Sequence, residues 1–238
     1  MKNDLLNAAG RRSTGGLHVV YDPEKILDYS FQFVYTCAQR EVAPMGRTKE
    51  FDRDQVLRKA MTVFWKKGYE ATSIPDLLEA MGLSRSSLYE TFQDKQSLYY
   101  EAIQHYKKLS QRKRDVLIAA PTAIEGIRQY FEIHITSAFA VQDEVLPNGC
   151  MITNAALSFD AMDEPLQNMV KNSFDELERL FYEKLKRGQE TGEISPDKDI
   201  RLLSFMLLNL NHSVNVVAKI QQDSTKAREM IEMVLGML

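Results

Sequence analysis

Cysteine is scarce: two in 238 residues, Cys37 and Cys150, far apart and without CxxC spacing. That excludes a disulfide framework and a cysteine zinc site, and it fits a reducing compartment. Although 44% of the residues are hydrophobic, no uninterrupted apolar run approaches the roughly 18 residues of a membrane span, and the N-terminus lacks the charged-then-apolar order of a signal peptide. A cytoplasmic protein without a membrane partner is expected. Catalytic signatures are missing too, with no GxSxG, P-loop, HExxH or GxGxxG, and the four scattered histidines do not make a triad. These absences point away from an enzyme and give no reason to expect a metal or a cofactor.

Charge is present in both signs and unevenly spread. Residues 45–108 carry 11 Lys/Arg against 9 Asp/Glu, net +2, whereas residues 109–238 carry 14 against 19, net -5. The positive balance therefore lies where a nucleic-acid contact is expected on other grounds. Residues 1–44 balance at 5 and 5 and read unlike the rest. A glycine-rich stretch, residues 10–16, precedes a helical pattern from Pro23 to about Arg40, and Pro44 breaks that pattern. Met45 looks like a natural start, so residues 1–44 are read either as an extension of non-native origin or as an accessory helix using Ile26, Leu27, Phe31 and Val34.

From there on, periodicity is helical throughout and no alternating strand pattern stands out, so the fold class is all-α. A first helix is expected from about Asp52 to Lys67, with Val56, Ala60, Val63 and Phe64 inward and Gly68 at its end. Ser73 caps a second helix that carries Pro75 in its first turn. Gly82 ends it, Ser84 caps a short third helix, and Leu83 and Leu88 stand at the positions of a hydrophobic staple that fixes the entry angle. Asp94 caps a long fourth helix running from Lys95 towards Val116. Two helices set across each other by a tight turn containing glycine form a helix-turn-helix, whose second helix presents its first turn to a DNA major groove. The same pattern occurs in helical proteins that touch no nucleic acid. The small, hydrogen-bonding face of helix three, with Arg85, Ser86, Ser87, Tyr89 and Glu90, favours DNA.

Three segments, Phe64–Leu77 (FWKKGYEATSIPDL), Met81–Ser84 (MGLS) and Ser87–Lys95 (SLYETFQDK), carry a resemblance. Over about fifty residues without a gap the chain resembles the DNA-binding domain of the tetracycline-repressor (TetR) family of bacterial transcription regulators. The resemblance implies a sequence-specific regulator, in the usual case a repressor, that binds a palindromic double-stranded operator as a homodimer and is released by a small-molecule effector. It implies DNA contacts from Thr72, Ser73, Ser84, Arg85, Ser86, Tyr89 and Lys95. Lys95, badly placed for the helix dipole, suits a phosphate, as does the Tyr89 hydroxyl. Arg85 either reads a guanine edge or grips the backbone, and both readings stay open. Arg47 and Lys49 are read as a basic arm near phosphates. The rival reading is a helical adaptor that keeps a relic helix-turn-helix for protein contacts.

Residues 45–95 are thus expected to be the DNA-binding domain, 96–120 a connecting helix, and 121–238 an effector-binding and dimerisation domain. Helices are expected at Pro121–Val141, Cys150–Phe159, Pro165–Glu190, Pro196–Gln221 and Ser224–Met237. The fourth of these has almost no polar side, so a partner chain is needed to cover it. The expected dimer interface comprises Phe174, Leu177, Leu203, Leu207 and Leu210. Polar groups embedded in apolar helices, His134, Thr136, Cys150, Asn154, Asn209 and His212, are candidate effector-pocket residues, with Phe131, Phe139 and Phe205 as apolar walls. Each of them singly also fits a satisfied core residue. Cys150, at an expected helix N-terminus, is a candidate redox-sensing thiol.

If the DNA-binding unit is complete from Met45, a chain beginning there binds DNA with the affinity of the full chain. Loss of affinity or of dimerisation in gel-shift and sedimentation measurements on that truncation would make residues 23–40 a working helix.

Overall fold

The structure is a computed structural model that describes residues 51–140, 147 and 149–238. Arg47, Lys49 and the expected helix at Pro23–Arg40 lie outside the described residues. Among the described residues the chain is helical without a strand, and no helix is long and apolar enough to cross a membrane.

Helix α1 (Arg53–Ala71) starts where the Asp52 carboxylate accepts from the backbone N–H groups of Asp54 and Gln55, at 3.0 and 3.2 Å. It buries Val56, Leu57, Ala60, Met61 and Phe64. Gly68, at φ 78° and ψ 170°, breaks its helical path, a conformation that a residue with Cβ rarely takes. Helix α2 (Ile74–Met81) stops at Gly82 in the left-handed region, with φ 68° and ψ 30°. Helix α3 (Arg85–Phe92) buries Leu88 and Phe92. Helix α4 (Lys95–Leu109) sends Leu98, Tyr99, Ala102, Ile103 and Tyr106 into the same core.

The long fourth helix expected to reach Val116 is instead two helices. A break at Ser110 separates α4 from α5 (Gln111–Ala119), whose single buried residue is Leu117. The break has a packing reason: Tyr106 belongs to the core under α1–α4, while Leu117 belongs to a second core formed by the helices that follow. These are α6 (Ala123–Ala138), α8 (Glu164–Glu190), α9 (Ile200–Val217) and α10 (Thr225–Leu235), while α7 (Met151–Ala156) and a 3-10 turn at Phe159–Ala161 lie between α6 and α8. The first core does not end with α4. Cys150, Met151, Ile152 and Ala155 around α7, and Leu166, Met169 and Val170 at the start of α8, are packed into it.

The α5–α6 joint is pinned by charge at both helix ends. The Lys184 ammonium on α8 donates to the carbonyls of Ala120, at 2.6 Å, and Ile118, at 3.4 Å, where the α5 dipole is negative. The Glu193 carboxylate accepts from the Ala123 and Ile124 N–H groups at the positive start of α6, at 2.6 and 2.9 Å. Gly126 makes room for this, since a Cβ there would sit 2.7 Å from Lys184 Cε and 2.9 Å from the Leu117 carbonyl.

Lys184→Met keeps the stem and removes the donor, leaving buried carbonyls unpaired, and is expected to lower stability by about 1–3 kcal/mol. Urea unfolding monitored by circular dichroism measures this, and an unchanged midpoint would show that water serves those carbonyls equally well.

Candidate functional site

The outer face of α2–α3 is built by local caps that settle which hydroxyls remain free. Ser73 and Asp76 form a reciprocal capping box, Ser73 N–H to Asp76 Oδ2 at 2.9 Å and Asp76 N–H to Ser73 Oγ at 3.2 Å. The Lys67 ammonium lies 2.8 Å from Asp76 Oδ1. That ion pair, with the Ser73 bonds, lowers the Asp76 pKa to about 2. At the start of α3, Ser84 Oγ accepts the Ser87 N–H at 3.1 Å and lies 2.9 Å from the hydroxyls of both Ser86 and Ser87. Ser73 and Ser84 are thus exposed, yet already engaged in holding the helix starts.

Thr72 is placed differently from expectation. It is 1% exposed, and its hydroxyl donates to the Gly68 carbonyl at 2.6 Å, tying the α1 end to the α2 start. A direct DNA contact from its side chain is ruled out by that burial. Arg85, Ser86 and Tyr89 are exposed on α3, Tyr89 at 40%. Lys95 opens α4 behind a tight γ-turn, in which Asp94 N–H donates to the Phe92 carbonyl at 2.8 Å across Gln93 at φ 67°. Its ammonium lies 4.3 Å from the centre of the Tyr69 ring, which packs in turn, tilted by 37°, against Tyr99. Desolvation there lowers the Lys95 pKa, opposed by Glu70. Sequence reasoning missed Tyr69 as the platform that aims this lysine.

The second group of candidates does not form one pocket. His134 and His212 enter a polar cluster inside the helices of the second core. His134 Nε2 donates to the Asn211 carbonyl at 2.9 Å, Tyr130 donates to Asn211 Oδ1 at 2.9 Å, and Lys113 Nζ lies 3.1 Å from His134 Nδ1. His212 Nδ1 lies 2.9 Å from Thr153 Oγ1, and Asn215 bridges Thr153 and the Asn211 carbonyl. Burial, and then Lys113, depress both histidines, His134 well below its ordinary range and His212 to about 4. Cys150 is buried as a free thiol within electrostatic reach of Lys113. Phe131 borders the cluster, its ring 6.2 Å from that of His134.

The other candidates lie elsewhere. Asn154 is a bridge: Nδ2 donates to the Trp65 carbonyl at 3.1 Å, and Oδ1 accepts from Lys219. Thr136 accepts from Arg228, which pairs with Glu132. Phe139 lines a separate pocket of about 140 Å³ with Val214, Val217 and Met230. Phe205, 52% exposed, and Asn209 face away from the interior of the subunit. Two of the expected interface residues also need correction. Leu177 and Leu207 are 5% and 0% exposed, already covered inside their own subunit, while Phe174, Leu203 and Leu210 are half-buried. The unpartnered apolar side of α9 carries Leu202, 64% exposed, and Phe205. Lys113, Tyr130, Thr153, Asn211 and Asn215 were missed, although Asn211 and Asn215 stand one turn apart on a mostly apolar helix.

A capped helix-turn-helix with an exposed Arg-Ser-Tyr face, joined to a helical bundle with a polar interior, defines the class of helix-turn-helix regulators. The family of bacterial regulatory proteins described as the tetR family matches residues 56–102. The tetracyclin repressor-like C-terminal domain matches residues 123–234. The chain is 32% identical over 196 residues to the HTH-type transcriptional regulator YezE of Bacillus subtilis (strain 168), across 82% of this chain and 100% of that protein. It is 30% identical to the HTH-type transcriptional repressor ComR of Escherichia coli (strain K12), across 73% of this chain and 82% of that protein. A solved structure of a cysteine variant of the TetR family regulator CifR, complexed with 26-base-pair double-strand operator DNA, superposes with a TM-score of 0.71 at 33% identity, covering 80% of this chain and 98% of that one. The chain belongs to the TetR family. It is a DNA-binding transcriptional regulator and not an enzyme.

Lys95→Ala is expected to weaken binding to all DNA sequences alike and to reduce the slope of log affinity against log salt by about one unit per half-site contact. Arg85→Ala, if Arg85 reads a base edge, costs about 1–3 kcal/mol at one symmetric pair of operator positions only. Equal losses on operator and unrelated DNA in fluorescence titrations would reassign Arg85 to the backbone.

Proposed function

We propose that this regulator is a cytoplasmic homodimeric repressor that grips a palindromic operator through Arg85, Ser86, Tyr89 and Lys95 of each subunit and lets go when a small-molecule effector enters the polar interior. The observation that carries the dimer is the apolar side of α9. Leu202 and Phe205 stand in solvent beside the half-buried Leu203 and Leu210, and a face of that kind needs a second copy to cover it. Two-fold pairing then sets two α3 helices to read symmetric half-sites. The 26-base-pair operator complex of CifR and the repressor ComR support the reading.

Release has a route. Thr153 and Asn154 are neighbours on α7. One is tied to His212 and Asn215 in the interior, the other to the Trp65 carbonyl on α1. A ligand that shifts the interior moves both, and α1 carries the helix-turn-helix. Repression lifted this way requires a ligand with different affinity for the DNA-bound and free arrangements.

Phe205→Glu places a charge on the unpartnered face and is expected to raise the dimer dissociation constant by roughly 30-fold or more, as for a central interface anchor. Sedimentation velocity should show monomers, and operator affinity should fall with them. An unmutated protein that sediments as a monomer at micromolar concentration would remove the dimer and the palindrome together.

A further inference from the structure

Hydrogen-bond roles inside the cluster can be assigned one by one. The Asn211 carbonyl only accepts, so His134 Nε2 carries the proton and Nδ1 offers its lone pair to the Lys113 ammonium, 3.1 Å away. That lone pair is the one hydrogen-bond acceptor Lys113 meets among the described residues, and its other polar neighbour is the Tyr130 ring, 5.5 Å from Nζ. No described carboxylate faces it. Arg114 alongside is a cation engaged by Glu176, and the free Cys150 thiol lies within electrostatic reach of Lys113.

The histidine of α9 repeats the imbalance. Thr153 Oγ1 meets two groups among the described residues, the Asn215 amide, which donates to it, and His212 Nδ1, so the one acceptor open to its own proton is His212 Nδ1. That leaves the His212 proton on Nε2, a buried N–H without a partner. The acceptors nearby already serve other donors: the Asn211 carbonyl takes the His134 and Asn215 side-chain N–H groups, and Asn211 Oδ1 takes the Tyr130 hydroxyl. Among the described residues the cluster therefore holds an ammonium without a counter-ion and a bare N–H, a surplus of donors and of positive charge. Beside them the His212 ring stacks on Phe174, centres 3.9 Å apart and planes within 8°, a flat wall for an apolar body.

We propose that the interior cluster is a binding site for a small organic carboxylate, whose oxygens take the Lys113 ammonium and the His212 Nε2–H while its apolar part lies along the Phe174–His212 wall. A carboxylate supplies both missing items at once, a negative charge and acceptor lone pairs. An uncharged ligand leaves the ammonium unmatched. The proposal rests on reading this interior as the effector site.

The test uses the full-length protein without DNA, titrated calorimetrically and by thermal melting with benzoate and hexanoate, their uncharged amides, and inorganic phosphate. The expected result is binding of a carboxylate at millimolar concentration, with the matching amide weaker by about tenfold or more. Lys113→Met should lose that carboxylate preference and, free of ligand, still melt cooperatively, because removing a desolvated cation offsets the bond that His134 Nδ1 loses. Lys113→Arg should keep it. The proposal is overturned by equal affinity for acid and amide, by Lys113→Met binding unchanged, by phosphate binding in place of the carboxylates, or by no binding of any probe at millimolar concentration. Operator release is measured separately. Carboxylate binding through Lys113 that leaves the DNA complex intact removes the release mechanism and spares the site, whereas release by the amides does the reverse.

Discussion

A helix of six residues, α7, has to satisfy partners on every side, and the coupling of the two halves of the chain depends on it. Met151, Ile152 and Ala155 are packed in the core under the helix-turn-helix, Thr153 is bonded into the polar interior, and Asn154 holds the Trp65 carbonyl and Lys219. Six isolated residues do not make a stable helix, so tertiary packing is what keeps α7 in place. A second connection runs from α4 and α5 to α8, where Lys107 and Arg114 meet Glu176 at 3.1 and 3.2 Å. Part of that carboxylate is exposed, so the contact orients more than it stabilises.

The DNA-reading face has the opposite character. Its order is local: each cap closes within three residues, Ser73 with Asp76, Ser84 with Ser87, Asp94 with Ser97. The side chains that make these caps are largely used up by them, which leaves Arg85, Ser86, Tyr89 and Lys95 as the proposed contacts. Lys95 is held over Tyr69, so its ammonium is set in position before any DNA arrives. Preorganisation of that kind reduces what must be ordered on binding.

Inside the second core the polar groups are connected but not balanced. Backbone and amide acceptors satisfy His134, Tyr130 and Asn215, and the chain of bonds runs through α6, α7 and α9. An ammonium beside a neutral imidazole is a poor end to such a chain, and stability alone favours an apolar residue there. No described carboxylate faces Lys113, and the proposed carboxylate ligand supplies that charge.

By itself the sequence determined the helical class, the order of the helices and the three caps of the helix-turn-helix, because periodicity and capping act over a few residues and need no distant partner. It also marked α9 as too apolar for one subunit. Only the tertiary structure decided which side of α9 turns inward, putting Leu207 at 0% exposure and Phe205 at 52%, since an almost uniformly apolar helix carries no polar stripe to set its rotation. It also took Thr72 out of the DNA face by giving its hydroxyl to Gly68, and it broke the fourth helix at Ser110 so that Tyr106 and Leu117 reach different cores. The Lys113–His134–Asn211 cluster was not legible for the same reason. Its members come from α5, α6 and α9, and what each one needs is set by a partner that no local pattern names.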